Sequence, residues 1–172
     1  MLKAAGIFLI IISAAGLGFS KSYELICREK ALEMLLRLVI LLKGEIRWGN
    51  ESLPEAFSGA GRKLSGEYGD FLLQTAERAR DCPGIRFGEI FRQCAEEKLG
   101  HLPVSEEERE AFYTLGGHLG YLDMEMQMKQ LELYEGELLR SIEELKSETP
   151  AKKKVYQSLG ILGGILLAVL IW

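Results

Sequence analysis

Proline is scarce in this chain, four in 172 residues, and histidine is scarcer, with only His101 and His118. So few helix breakers leave long stretches free to remain helical. The two histidines stand alone, without cysteine or a second histidine at ligand spacing, so no metal site is encoded and both read as surface or loop residues. Cys27, Cys82 and Cys94 are odd in number and irregularly spaced. That argues for a reducing compartment and against a disulfide framework. The P-loop pattern is missing, as are a nucleophile elbow and a GxGxxG turn after a strand. No catalytic residue, cofactor-binding residue or cofactor is therefore assigned, and the chain is not read as an enzyme. An excess of positive charge is also lacking: the net charge of −4 offers nucleic acid no electrostatic footprint. Long alternating β-branched runs are absent, and Leu, Glu, Lys, Arg, Met and Gln dominate the middle. The fold class expected is all-α.

What the sequence does have is an uncharged run at each end. Residues 158–172 read SLGILGGILLAVLIW, and Lys152, Lys153 and Lys154 stand just before them. A basic cluster followed by an apolar run is the pattern of a bilayer helix with its lysines among the headgroups. Counted from Val155 the segment has eighteen residues. That is about 27 Å at the helical rise, close to a hydrocarbon core of roughly 30 Å. Trp172 suits an interfacial anchor. Residues 1–19 form the second run, interrupted only by Lys3 and Ser13. It also fits a signal peptide, with Lys3 as its basic start and Ser13-Ala14-Ala15-Gly16 as small residues for cleavage. The flanks favour a retained helix. Lys21, Arg28 and Lys30 follow the first run and the three lysines precede the last, which sets the middle of the chain in the cytoplasm. The expected organisation is a transmembrane helix over 1–20, a cytoplasmic helical bundle domain over 21–154 and a transmembrane helix over 155–172. Ala14 and Gly18 in the first run, and Gly160, Gly163 and Gly164 in the last, are candidates for membrane-helix packing, on each other or on a partner. A homo-oligomer is left open.

Between the runs, a helix is expected from Tyr23 to Trp48. Its dense leucine patch around Arg37 is too short to span a bilayer and belongs in a domain core. Gly49-Asn50 ends it. Ser52 then caps a short helix, with Pro54 in the first turn, Glu55 completing a capping box, and Phe57 and Leu64 on the apolar side. Residues 68–81 follow, with Phe71, Leu72, Thr75 and Ala79 on one side, and Cys82-Pro83-Gly84 breaks them. Residues 87–99 turn Phe87, Ile90, Phe91, Cys94 and Ala95 inward. Ser105 with Glu106, Glu107 and Glu108 is a second capping box, and the acidic first turn suits the helix dipole, so these glutamates need no catalytic role. Three glycines within residues 116–120 predict a tight connection or a close backbone approach. Asp123 caps a long final helix. Its seam, Met124, Met128, Leu131, Glu135, Leu138, Ile142 and Leu145, steps by four and three, which fits core packing or docking of a partner helix. Pro150 predicts a kink or break on the way to the last run.

In their order and spacing these residues resemble the stage III sporulation protein AB family nearly end to end. Leu2-Lys3, Gly6, Gly18-Phe19, Tyr23 and Arg28 are similar to the family's opening. Glu45-Ile46, Trp48-Gly49 and Leu53-Pro54-Glu55-Ala56-Phe57 are similar to its E-I-aromatic-G…L-P-E-A-F segment. Leu115-Gly116, Leu119-Gly120, Asp123 and Gln127 are similar to its double L-G segment. Tyr156, Ser158-Leu159-Gly160, Leu162 and Gly163-Gly164 are similar to its closing helix. Ser52 and Pro150 depart from the pattern. The resemblance implies a structural part of the channel joining mother cell and forespore, seated in the mother-cell membrane. It implies a domain similar to the cytoplasmic domains of type II secretion and type IV pilus F-type platform proteins. The implied partners are the sporulation ATPase encoded beside it (stage III sporulation protein AA-like), other membrane components of the channel, and the lipid bilayer. Candidate partner contacts are Trp48, Leu53, Pro54, Glu55 and Phe57 in one segment, and Gly116, Gly120, Asp123 and Gln127 in another. A membrane-anchored helical scaffold that pairs through its coiled-coil seam is the alternative.

Overall fold

The computed structural model describes residues 2–48, 52–82, 84–120 and 123–171, with side chains described between 23 and 147. Its described residues form six helices and no strand: α1 Leu2–Trp48, α2 Leu53–Arg62, α3 Glu67–Asp81, α4 Phe87–Leu99, α5 Glu106–Leu119 and α6 Met124–Ile171. The all-α expectation holds. One of its details does not. Helix α1 is continuous from Leu2 to Trp48, and α6 passes through Pro150, where a kink or break was expected, without a break. A proline removes one backbone donor and crowds one carbonyl. Here strong helix formers on both sides, Glu144-Leu145-Lys146 and Ala151-Lys152-Lys153, carry the helix through. Among the described residues no helix is long and apolar enough to cross a membrane. The two apolar runs, with Ala14, Gly18, Gly160, Gly163 and Gly164, lie outside the residues whose side chains are described.

The chain divides into two compact units, Ala31–Ser141 and the pair of end segments Met1–Lys30 with Ile142–Trp172. In the unit of end segments, Lys146 Nζ lies 3.8 Å from a Glu29 carboxylate oxygen, and Ile142 and Leu145 are buried.

The unit Ala31–Ser141 holds an aliphatic and an aromatic core. Helix α1 buries Leu32, Leu35, Leu38, Val39, Leu42 and Ile46, spaced by the threes and fours that keep one helical face turned inward. Helix α6 buries Leu131, Tyr134 and Leu138. The expected seam is thus shifted at one step. Tyr134 takes the inward place and Glu135 sits at its edge, where Lys43 Nζ reaches its carboxylate at 2.6 Å. Met124, also assigned to the seam, is 49% exposed, because the first turn of α6 precedes its packed stretch.

Phe91 is the hub of the aromatic core. Its ring stands edge-on to Phe71 at 5.1 Å, 4.9 Å from Phe112 and 6.1 Å from Phe57. Each such pair adds about 0.5–1.5 kcal/mol beyond the area it buries. Thr75 is fully buried and donates its hydroxyl to the Phe71 carbonyl at 2.7 Å, so no polar atom of that side chain is stranded. Cys94 is buried beside this cluster, and burial pushes its thiol up from the ordinary range.

Local signals in the sequence account for several helix starts. Ser105 Oγ accepts from the Glu108 backbone N–H at 3.2 Å, and the Glu108 carboxylate accepts from the Ser105 N–H at 2.7 Å, closing the expected capping box. Gly66 opens α3 at φ 73°, a left-handed conformation that side-chain-bearing residues avoid. At α2 the expectation fails in part. Ser52 occupies the N-cap position without a side-chain cap hydrogen bond, and Glu55 is drawn instead to Arg80, whose Nε donates to it at 3.2 Å. A guanidinium one helix away outcompetes the local backbone donor.

Candidate functional site

Helix termini from different parts of the chain meet at one end of the unit Ala31–Ser141. Arg80, in the last turn of α3, reaches back to the start of α2. It donates to Ser58 Oγ at 2.5 Å and to the Pro54 carbonyl at 3.4 Å, besides pairing with Glu55. Phe57 of α2 packs edge-on against Phe87, the first residue of α4, with ring centroids 5.1 Å apart. Phe87 in turn lies against Gly120, the residue that ends α5. A Cβ on Gly120 would fall 2.3 Å from the Phe87 Cβ, and one on Gly116 would fall 2.1 Å from Phe91 Cδ1. Only glycine lets α5 approach α4 this closely. The starts of α2 and α4 therefore meet the ends of α3 and α5. Residues 49–52 lead from α1 to α2 and residues 120–123 from α5 to α6, so the end of α1 and the start of α6 belong to the same end.

The two segments singled out in the sequence thus come to one place, bridged by Phe87. Their residues have different standing there. Trp48 is 82% exposed at the last turn of α1, with the Arg47 guanidinium 5.7 Å above its ring. Leu53, Pro54 and Glu55 are half-buried in the first turn of α2. Phe57 is fully buried and Gly116 is buried under Phe91, so both shape this end from beneath. Gly116 also lies inside α5, and the break expected over 116–120 comes only after Leu119. Gly120 and Asp123 are exposed. Asp123 caps α6 as expected, accepting from the Met126 N–H at 2.9 Å, and its carbonyl accepts from the Gln127 N–H at 2.9 Å.

Sequence reasoning passed over other residues here. Ile85, just before α4, and Met124 and Met126, in the first turn of α6, are 45–49% exposed. Gly88 packs against the Gly117 backbone, and beside them lies a groove of about 600 Å³ lined by Arg86, Phe87, Gly88, Glu89, Gly117 and Gly120. A usable signal was the Asp123 cap itself. It places Met124 and Met126 in the first turn, before the seam engages the core.

The surface at this end is mixed in character. Its charges, Arg47, Arg86, Glu89 and Asp123, are of both signs, and its large side chains are apolar. Among the described residues no cluster of His, Cys, Asp or Glu is arranged to hold a metal ion. Elsewhere His101 pairs with Glu67 at 2.7 Å on the surface and His118 is exposed, as expected of both. The α6 seam is mostly spent inside: Leu131, Leu138, Ile142 and Leu145 are buried in the chain itself.

Compared with known proteins, the chain matches the family model described as stage III sporulation protein AB over residues 3–172. No curated protein and no solved structure matches it.

Proposed function

The chain belongs to the stage III sporulation protein AB family, and on that premise we propose that it is a membrane platform coupling a cytoplasmic ATPase to the sporulation channel. Family membership implies a role in that channel; the coupling and its surface are our reading. In it, the helical unit stands in the mother-cell cytoplasm on two terminal membrane helices. Its function resembles that of the F-type platform proteins of type II secretion systems. The neighbouring ATPase, similar to stage III sporulation protein AA, docks on the end of the unit that carries Trp48, Ile85, Met124 and Met126. The other membrane components assemble around the terminal helices.

The observation that supports this most is the convergence of the Trp48–Phe57 and Gly116–Gln127 segments at one end, through Phe57, Phe87 and Gly120. A large exposed tryptophan and flexible exposed methionines are adaptable contact groups. A platform needs no reacting group of its own. It needs a rigid body and an exposed anchor, and the interlocked Phe91 cluster supports the first. A scaffold pairing through the α6 seam fits less well, since that seam is occupied by the chain's own core.

The test is co-purification of the full chain with the ATPase encoded beside its gene, from membranes solubilised in mild detergent. Trp48→Ala combined with Met126→Glu should reduce the retained ATPase at least about tenfold, the size expected for losing a central contact. The helical circular dichroism should not change. Retention equal to the parent would remove this end as the docking surface.

A further inference from the structure

Charge is unevenly spread over the unit Ala31–Ser141. Residues 31–104 hold eleven acidic and ten basic side chains, whereas residues 105–141 hold nine and three. Part of that acidic excess is used within the chain. Lys43 takes Glu132 and Glu135, Arg92 takes Glu110, and Arg109 takes Glu106. Glu108 and Asp123 serve as caps. Glu107, Glu125 and Glu137 are exposed and have no hydrogen-bond or ion-pair partner among the described residues.

Two of these three border one groove. It has a volume of about 260 Å³ and runs between α5 and α6, with Ala111, Thr114 and His118 on one side and Leu133 and Glu137 on the other. Leu115 and the buried Tyr134 lie beneath. Glu107 stands one turn before Ala111 on the same stripe of α5. The short connection through residues 120–123 sets the two helices antiparallel, so Glu107 and Glu137 both lie toward the far end of the groove. No lysine or arginine lines it. Lys129 and Arg140 fall on the stripe through Gly136, about a quarter-turn further round α6. The groove also leaves two groups unmet. Leu133 is 55% exposed at its edge. Tyr134 is only 5% exposed, and its hydroxyl is buried with no hydrogen-bond partner among the described residues. Thr114 donates its hydroxyl to the Glu110 carbonyl at 2.8 Å, so toward the groove it can only accept. The polar atoms here suit a donor, and the charges suit a cation.

We infer that this groove takes a helix of another protein, one whose apolar stripe ends in a lysine or arginine. Two antiparallel helices leave a furrow that a third fills with one row of side chains. The apolar row covers Leu133 and lies over Ala111 and Leu115. The cation reaches the far end, between the Glu107 and Glu137 carboxylates, where charge-assisted hydrogen bonds hold it. An acidic helix is repelled there, which makes the groove selective for basic partners. The inference does not rest on the reading of the ATPase-docking end.

Photo-cross-linking of the full chain in sporulating cells tests it. The probe is p-benzoylphenylalanine, placed at Leu133 in one chain and, as a control, at Leu139, which helical spacing sets on another side of α6. Under ultraviolet light the Leu133 probe should join a second protein. Mass spectrometry should place the joined residue on an amphipathic segment, within about two turns of a lysine or arginine. Glu137→Lys in the Leu133-probe chain should lower the yield at least about tenfold, and Glu137→Gln should lower it less. Changing the partner's basic residue to glutamate should restore the yield of the Glu137→Lys chain. Glu137 is exposed, so helical circular dichroism of both variants should match the parent. Five results would each overturn the inference: no link at Leu133, a link to lipid or to a second copy of the chain, a joined segment without a base, a yield indifferent to Glu137→Lys, or no restoration by the reversed pair. The same link in equal yield from Leu139 would overturn it as well.

Discussion

Glycine serves opposite purposes in two helix pairs of this protein. Between α4 and α5, Gly116 and Gly120 have no room for even a methyl group, because Phe91 and Phe87 occupy the space. On α1 and α6, Gly44 and Gly136 face open space. The first pair of helices is locked by shape, with rings seated against bare backbone. The second is held by aliphatic side chains and by a half-buried Lys43 between two carboxylates, and it leaves its outer side unfilled. Residue type therefore does not reveal which glycines a fold depends on. The neighbour across the contact does.

Substitutions can break or sharpen this contrast. Phe91→Ala should have the largest effect, about 3–5 kcal/mol of lost stability, because it empties the centre of the locked pair. Urea unfolding of the full chain, followed by helical circular dichroism, measures it, and a loss below about 1 kcal/mol would contradict the role given to Phe91. Gly116→Ala should cost about 1–3 kcal/mol through overpacking. If the clash with the Phe91 ring is the cause, Phe91→Leu in the same chain should recover part of that loss, and simple additivity of the two changes would argue against it. Lys43→Ala should cost about 1 kcal/mol, since Glu132 and Glu135 are then left to each other at a partly solvated site. Equal stability in low and high salt would show that the pair contributes no charge interaction. The smallest effect has the opposite sign: Gly44→Ala should raise stability by about 0.5–1 kcal/mol, as helix propensity alone requires. A destabilised Gly44→Ala chain would mean that its open side is not open.

Much of the fold was legible because helix boundaries are written locally. The Ser105 box and the Asp123 cap act on the few residues beside them, and α1 and α3 end close to the Gly49-Asn50 and Cys82-Pro83-Gly84 signals in the sequence. Inward positions such as Ile90, Phe91, Cys94 and Ala95 follow from helical spacing alone. The errors arose where a distant partner decides. Glu55 turns from its own backbone to Arg80, and Tyr134 displaces Glu135 from the seam because Lys43 claims the carboxylate. Gly116 stays helical because its job is to admit Phe91, which no neighbour in sequence discloses. At the candidate docking end, Trp48 and Asp123 could be named from the sequence. Ile85, Met124 and Met126 join them only once the ends of α3 and α5 are seen to meet the starts of α2 and α4.

One buried sulfur gives the molecule a clock of its own. Cys94 is fully buried near Thr75, and burial pushes its thiol up from the ordinary range, while Cys27 and Cys82 are partly accessible. In the native chain an alkylating reagent should consume those two early and reach Cys94 only when the fold around it opens. The delay between the two phases, followed by mass spectrometry, times the opening of the unit, with no dye attached and no residue changed.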